Sequence, residues 1–195
     1  MYNNIEWIKA VKPPRDPVYI AKRITDKEIK EVLDYFKGSK FELRYKSVIK
    51  LCCDSGIRSQ ECYQLRFEDI DLDNRIIHIN HNPDSGQHTK TKLSRVSFFT
   101  GETKEILKDY YNCFDDKCRL KYLFGQSDVQ RAFRKSPIRV KIFRKYFSQE
   151  WYRRGGPTSI KKILMGHSMK GDIDLMHYNA QSVDDLKKIY DKIMK

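Results

Sequence analysis

The stretch DSGIRSQECYQLRFEDIDLDNRIIHI, residues 54–79, carries in order a helix end, a short helix, a turn and the start of a strand. Gly56 stops the helix that precedes it. Ser59 or a neighbour caps a short helix bearing Glu61, Leu65 and Phe67. DLDN then turns the chain, and the alternating isoleucines of RIIHIN read as a strand. Between the two helices stands Arg58, three residues before Glu61. A solvated helix end gains little from an arginine, whereas an oxyanion gains much from a rigid, permanently charged guanidinium. The stretch therefore predicts a helical body that hands over to a small antiparallel sheet, with an anion-facing arginine at the junction.

The same patterning continues on both sides. Thr25 followed by Glu28 is a capping box opening the helix DKEIKEVLDYF, whose Ile29, Val32, Leu33 and Phe36 share one face and which Gly38 ends. FELRYKSVIKLCCDSG predicts the helix that stops near Gly56. RIIHIN and RVSFF are two strands joined by the exposed, basic loop HNPDSGQHTKTKLS. GETKEILKDYYNCF and SDVQRAFRK are helices, and Ser136 with Pro137 opens a longer one running to the stop at Gly155 and Gly156. PTSIKKILMG is a short helix. The tail places Val183, Leu186, Ile189 and Ile193 at helical spacing, an apolar stripe that has to be buried. Residues 1–24, with KPPRDP in their middle, read as a linker, because the prolines block regular structure. The fold class is α+β, mainly helical, with a small antiparallel hairpin or sheet. It divides into the linker 1–24, a main domain 25–180 and a tail helix 181–195.

Composition narrows the function. The chain has 195 residues and a formal net charge of +13, from 39 Lys and Arg against 26 Asp and Glu. A basic excess of that size in a folded domain points to a polyanion, nucleic acid before an anionic membrane. No apolar run approaches the roughly 20 residues that span a bilayer, and no secretory signal opens the chain, so a soluble, intracellular, cytoplasmic protein is expected. The five cysteines are odd in number and include no C-x-x-C, which favours buried free thiols over a disulfide framework or zinc site.

Four motifs carry chemistry. Arg58 and Glu61 are the first. The loop lysines Lys90 and Lys92 are the second. The third is the helix beginning at Pro137: Val140, Phe143, Phe147 and Trp151 form its apolar stripe, with Lys141 and Arg144 beside it at i, i+3. From Arg131 to Lys145 there are seven basic residues and no acidic one, which suits a phosphate-facing groove. The fourth, KKILMGHSMKGDIDLMHYNA, holds His167 after a glycine and Tyr178 beyond it.

Taken together and in order, these pieces resemble the tyrosine recombinase family of phage-integrase and Xer-type enzymes, over essentially the whole chain from Thr25. SGIRSQECYQLRFEDID is similar to its first box, giving Arg58 and Glu61. TKTKLSRVSFF is similar to its lysine-bearing β-turn. KIFRKYFSQEWYRRGG is similar to its second box, with Lys141 where histidine is common, as in integrases of some archaeal viruses. ILMGHS gives His167, and HYNA the nucleophile Tyr178.

The resemblance implies metal-independent site-specific recombination, integration or excision, with no cofactor. Tyr178 would attack the scissile phosphate to give a 3′-phosphotyrosine, and Arg58 and Arg144 would stabilise the charge on the non-bridging oxygens. Lys90, with Lys92 as the alternative, would protonate the leaving 5′ oxygen. His167 and Lys141 would assist the tyrosine, whose ordinary pKa near 10 leaves it neutral at pH 7. Glu61 would brace Arg58. Arg95, Arg131, Arg134, Lys135, Arg139 and Lys145 are expected to bind DNA. The partner is double-stranded DNA at a specific site, with a homotetramer on DNA and a monomer or weak oligomer without it. The tail either packs on its own domain or exchanges between subunits. A catalytically silent DNA-binding module and a type IB topoisomerase-like enzyme are the rival readings. Nothing before residue 25 supplies the N-terminal DNA clamp usual in the family, so a catalytic domain is expected.

Overall fold

The structure, a computed structural model, describes residues 22–114, 122–168 and 181–195. In chain order the helices and strands are α1 (Asp26–Phe36), α2 (Glu42–Ser55), α3 (Ser59–Gln64), β1 (Ile70–Asp71), β2 (Ile76–Ile79), β3 (Arg95–Phe98), α4 (Gly101–Tyr111), α5 (Gln126–Phe133), α6 (Val140–Arg153), α7 (Thr158–Met165) and α8 (Val183–Ile193). The chain is mainly helical, with a three-stranded antiparallel sheet in the order β1-β2-β3.

Helix α2 is the centre of the larger core. It buries Val48, Ile49, Leu51 and Cys52 and packs against α1, α4 and α6. The α1 capping box forms as expected, the Thr25 backbone N–H donating to the Glu28 carboxylate at 2.9 Å. Residue 24 already belongs to the body: Ile24 is buried, and its N–H donates to Gln149 of α6. Cys52, Cys53 and Cys62 are buried free thiols, whereas Cys113 is exposed.

The sheet sits between two apolar clusters. Ile77, Ile79 and Phe99 join the α2 core, while Phe98, with Ile76 and Val96 packed beside it, joins Phe147, Trp151, Leu164 and Tyr190. This is the period-2 alternation of a strand pair with apolar surface on both sides. Strand β1 is an addition to the sequence reading, which treated this segment as part of the turn. Asp71 accepts from the Asn74 backbone N–H at 2.9 Å and from its side chain at 2.8 Å, and this local bonding tightens the turn so that Ile70 and Asp71 pair with β2.

Two other details differ from expectation. Helix α6 starts at Val140, not at Pro137, because the Ser136 hydroxyl donates to the Ile138 and Phe133 carbonyls and closes a turn instead of capping a helix. In α8 the buried positions are Leu186 and Tyr190, with Met194 buried just beyond its end, while Val183 is 41% exposed. Tyr190 can be buried because its hydroxyl donates to the Asp54 carbonyl at 3.0 Å, and Asp191 pairs with Arg75 at 2.7 Å. These contacts run to the body of the same chain.

Candidate active site

Arg58 stands at the N-terminus of α3, just beyond the left-handed Gly56 that ends α2. Both oxygens of the buried Glu61 are fully used. Oε1 accepts from the Arg58 guanidinium at 2.9 Å and from Arg95 Nη1 at 3.0 Å. Oε2 accepts from the Arg58 backbone N–H at 2.8 Å and from Arg95 Nη2 at 2.7 Å. Burial opposes the ionisation of Glu61, but the Arg95 fork and then Arg58 outweigh it and hold the carboxyl below the ordinary range. Glu61 is thus an anion at neutral pH, bridging two cations.

Arg58 also reaches α7. It donates to the carbonyls of Met165 at 3.4 Å and Gly166 at 2.8 Å, the residues immediately before His167. Arg144, on α6, donates to the Gly56 carbonyl at 2.6 Å. Burial, then the neighbouring Arg58, lowers its pKa to about 10, so it remains a cation at pH 7. Among the described residues the side chain of Arg58 makes three hydrogen bonds and that of Arg144 one, each within a planar five-donor fork suited to an anion. Burial, then Arg144 and Arg58, also pushes the His167 pKa below its ordinary value, so the imidazole is neutral at pH 7. Two anchored cations beside a neutral imidazole form a site for a tetrahedral or pentacoordinate oxyanion.

The remaining candidates fall around this group. Lys141 is exposed and shares a depression of about 230 Å³ with Arg134, Arg139, Ser59 and Gln60, next to Arg58. Arg131 and Lys135 are also exposed, and Lys145 is half-buried. Arg95 departs from its expected place. Its side chain is only 9% exposed, and its guanidinium is committed to Glu61 and to the Leu164 carbonyl at 2.9 Å. The strand register holds a signal for this: Arg95 pairs with buried Ile79 and shares its face with buried Ser97.

Lys90 and Lys92 lie in the β2–β3 loop, both exposed. Their turn is held by Thr89, whose hydroxyl donates to the Leu93 carbonyl and accepts from the Leu93 N–H, and whose own N–H donates to His81 Nδ1 at 3.1 Å. Gln87 fastens the loop to the body through Asp69 at 2.7 Å, and Gln64 through the His88 N–H at 2.8 Å. The sequence reading passed over these residues, since isolated glutamines in a polar loop carry no pattern. Tyr178 lies outside the described residues.

A family model described as the phage integrase family matches residues 22–184. The chain belongs to the phage integrase family. The tyrosine recombinase XerA of Saccharolobus solfataricus is 31% identical over 199 residues, spanning 97% of this chain and 64% of that protein. Among solved structures, a XerA recombinase superposes with a TM-score of 0.61 at 18% identity, over 93% of this chain and 66% of that one. The Tn1549 transposon integrase in complex with circular intermediate DNA gives 0.61 at 16% identity, over 88% and 66%. This chain spans a little under two thirds of the length of the XerA relative.

Proposed function

We propose that the chain is the strand-cleaving and rejoining domain of a site-specific DNA recombinase. The observation that carries this is the anchored pair Arg58 and Arg144 beside a neutral His167, in a member of the phage integrase family. In this reading Tyr178 Oη attacks the scissile phosphorus, the bond to O5′ breaks, and the product is a 3′-phosphotyrosine with a free 5′ hydroxyl. The two guanidinium groups take up the charge that develops on the non-bridging oxygens, a role often met by metal ions in other phosphoryl-transfer sites. Lys90 supplies the proton to O5′ once its loop lies against DNA, with Lys92 as the second candidate. The phosphotyrosine conserves the energy of the broken bond, so attack by a partner strand's 5′ hydroxyl exchanges strands without a nucleotide cofactor. The exposed Arg131, Arg134, Lys135, Arg139 and Lys141 line the approach of the duplex, and a tetramer on DNA brings two sites together.

Nicked duplexes of randomised sequence test the reading, because release of a short strand beside the nick traps the covalent adduct. Wild-type protein is expected to yield a protein–DNA adduct stable to denaturing electrophoresis, and Tyr178→Phe none. An adduct that survives Tyr178→Phe would reassign the nucleophile. Absence of any adduct on the wild type, with DNA still bound, would reduce the protein to a binding module.

A further inference from the structure

The end of α7 is held by two arginines at once. Three consecutive carbonyls close that helix. Leu164 O accepts from Arg95 Nε, and Met165 O and Gly166 O accept from Arg58. Glu61 joins the two guanidinium groups below, accepting from both on each oxygen when the Arg58 backbone is counted. Gly166 itself lies directly on Arg95. It has φ +63°, and a β-carbon there would stand 2.7 Å from the Arg95 guanidinium carbon. The peptide that leads into His167 is therefore clamped between the Arg58 fork, which takes its carbonyl, and the Arg95 fork, which it covers.

We infer that Arg95 is a positioning residue: through Glu61 it sets the orientation of Arg58, and through the end of α7 it sets His167. Its rigid planar fork meets both carboxylate oxygens while its Nε reaches a carbonyl on a different element, a geometry that the single point charge of lysine cannot reproduce. Glycine is required at 166 because the chain turns left-handed while passing over a guanidinium. This inference rests on the strand-cleavage reading for its catalytic consequence, but the placement of Arg95 is testable without cleavage.

Three measurements on the full chain decide it, with Arg95→Gln, Arg95→Lys and Gly166→Ala compared with wild type. The first is the salt dependence of binding to a random-sequence duplex. A residue that neutralises a phosphate contributes about 0.9 to the slope of log affinity against log salt. Arg95→Gln is expected to leave that slope unchanged, and a fall of that size would overturn the inference by making Arg95 a DNA contact. The second is the NMR signal of the His167 imidazole, assigned with His167→Gln. Arg95→Gln and Gly166→Ala are expected to shift it and the other four histidines much less; a wild-type His167 signal in both would overturn the inference.

The third is single-turnover adduct formation on the nicked duplexes, expected to fall about a hundredfold in Arg95→Gln, the scale of a misplaced catalytic group. Arg95→Lys is expected to fold, to bind DNA normally and to recover only part of the rate. Full recovery would show that charge alone is needed and would overturn the role of the fork. Should Arg95→Gln fail to fold, Arg95→Lys and Gly166→Ala carry the same comparisons. A wild type that forms no adduct would defeat the cleavage reading, while the salt slope and the His167 signal still decide where Arg95 acts.

Discussion

The arginine floor and the lysine loop solve the problem of holding a cation in opposite ways. Arg58 is fixed by bonds to groups far away in sequence, at the end of α7 and, through Glu61, on β3. The Lys90 turn is fixed by its own neighbours, with Thr89 bonded to Leu93 and His81 and with Gln87 and His88 tied to the segment 64–69. The floor is therefore part of the fold, and disturbing it should cost stability. The loop tip carries the exposed lysines Lys90 and Lys92, and the bonds that close its turn are made by other residues. Charge stabilisation of an oxyanion rewards a preorganised donor that does not have to move, whereas a proton donor has only to arrive.

The sharpest way to break this contrast is to remove the shared anion. Glu61→Ala leaves two guanidinium groups buried without their carboxylate. Breaking a buried pair by deleting one partner costs about 3–5 kcal/mol. Urea denaturation followed by circular dichroism should show a loss of that size. A loss below about 0.5 kcal/mol, the range of an ordinary surface substitution, would show that the floor is not built on Glu61.

Gly56→Ala should be next in size. The residue has φ +62°, and a β-carbon there would run into the Phe147 ring. The left-handed backbone adds roughly 1–2 kcal/mol and the displaced ring roughly 1–3 kcal/mol. Because Arg144 donates to the Gly56 carbonyl, adduct formation on nicked duplexes should fall in the protein that still folds. Unchanged stability and rate would separate Arg144 from this turn.

A smaller effect is expected from His167. Its folded pKa lies below the ordinary 6.5, so the unfolded chain takes up a proton first as the pH falls. Stability is unaffected by this group above pH 6.5 and is progressively lost as the pH drops from 6.5 through the lower folded value. His167→Asn should flatten that part of the stability–pH curve, and an identical slope in the two proteins would show that His167 is not held neutral by burial and the neighbouring Arg144 and Arg58.

Much of this layout was legible in the residues, for identifiable reasons. Helices α1, α2, α6 and α7 follow from apolar spacing and from Thr25, Gly56 and Gly166 at their ends, all local signals. Arg58 and Glu61 could be paired because they are three residues apart on one short helix. The pairing of Arg95 with Glu61 is not legible because the two lie 34 residues apart, and a long-range ion pair leaves no trace in local periodicity. A basic residue in a basic chain reads as a DNA contact until its strand neighbours are seen to be buried. Tyr190 in α8 was passed over for the same kind of reason. The apolar stripe was traced through Val183 and Ile189, and only the Asp54 carbonyl, 136 residues upstream, makes a buried tyrosine acceptable there.

Lys90→Ala should give the smallest change in stability, and for that reason it separates the two regions most cleanly. Lys90 is exposed, and the turn around it is closed by Thr89 rather than by the lysine. Truncation should stay within about 0.5 kcal/mol of wild type in urea denaturation. Adduct formation should nonetheless fall, because the leaving 5′ oxygen would depart without its proton, and a general acid contributes roughly 10²–10⁴-fold. A substrate whose bridging 5′ oxygen is replaced by sulfur leaves as a thiolate and needs no such proton. On that substrate Lys90→Ala should recover the wild-type rate, while Arg144→Ala should not, since the charge on the non-bridging oxygens is unaltered by the sulfur. Rescue of Lys92→Ala in place of Lys90→Ala would move the proton donor two residues along the loop, to the lysine with φ +57°, and leave the division between floor and loop intact. Rescue of neither would take proton delivery away from the loop altogether.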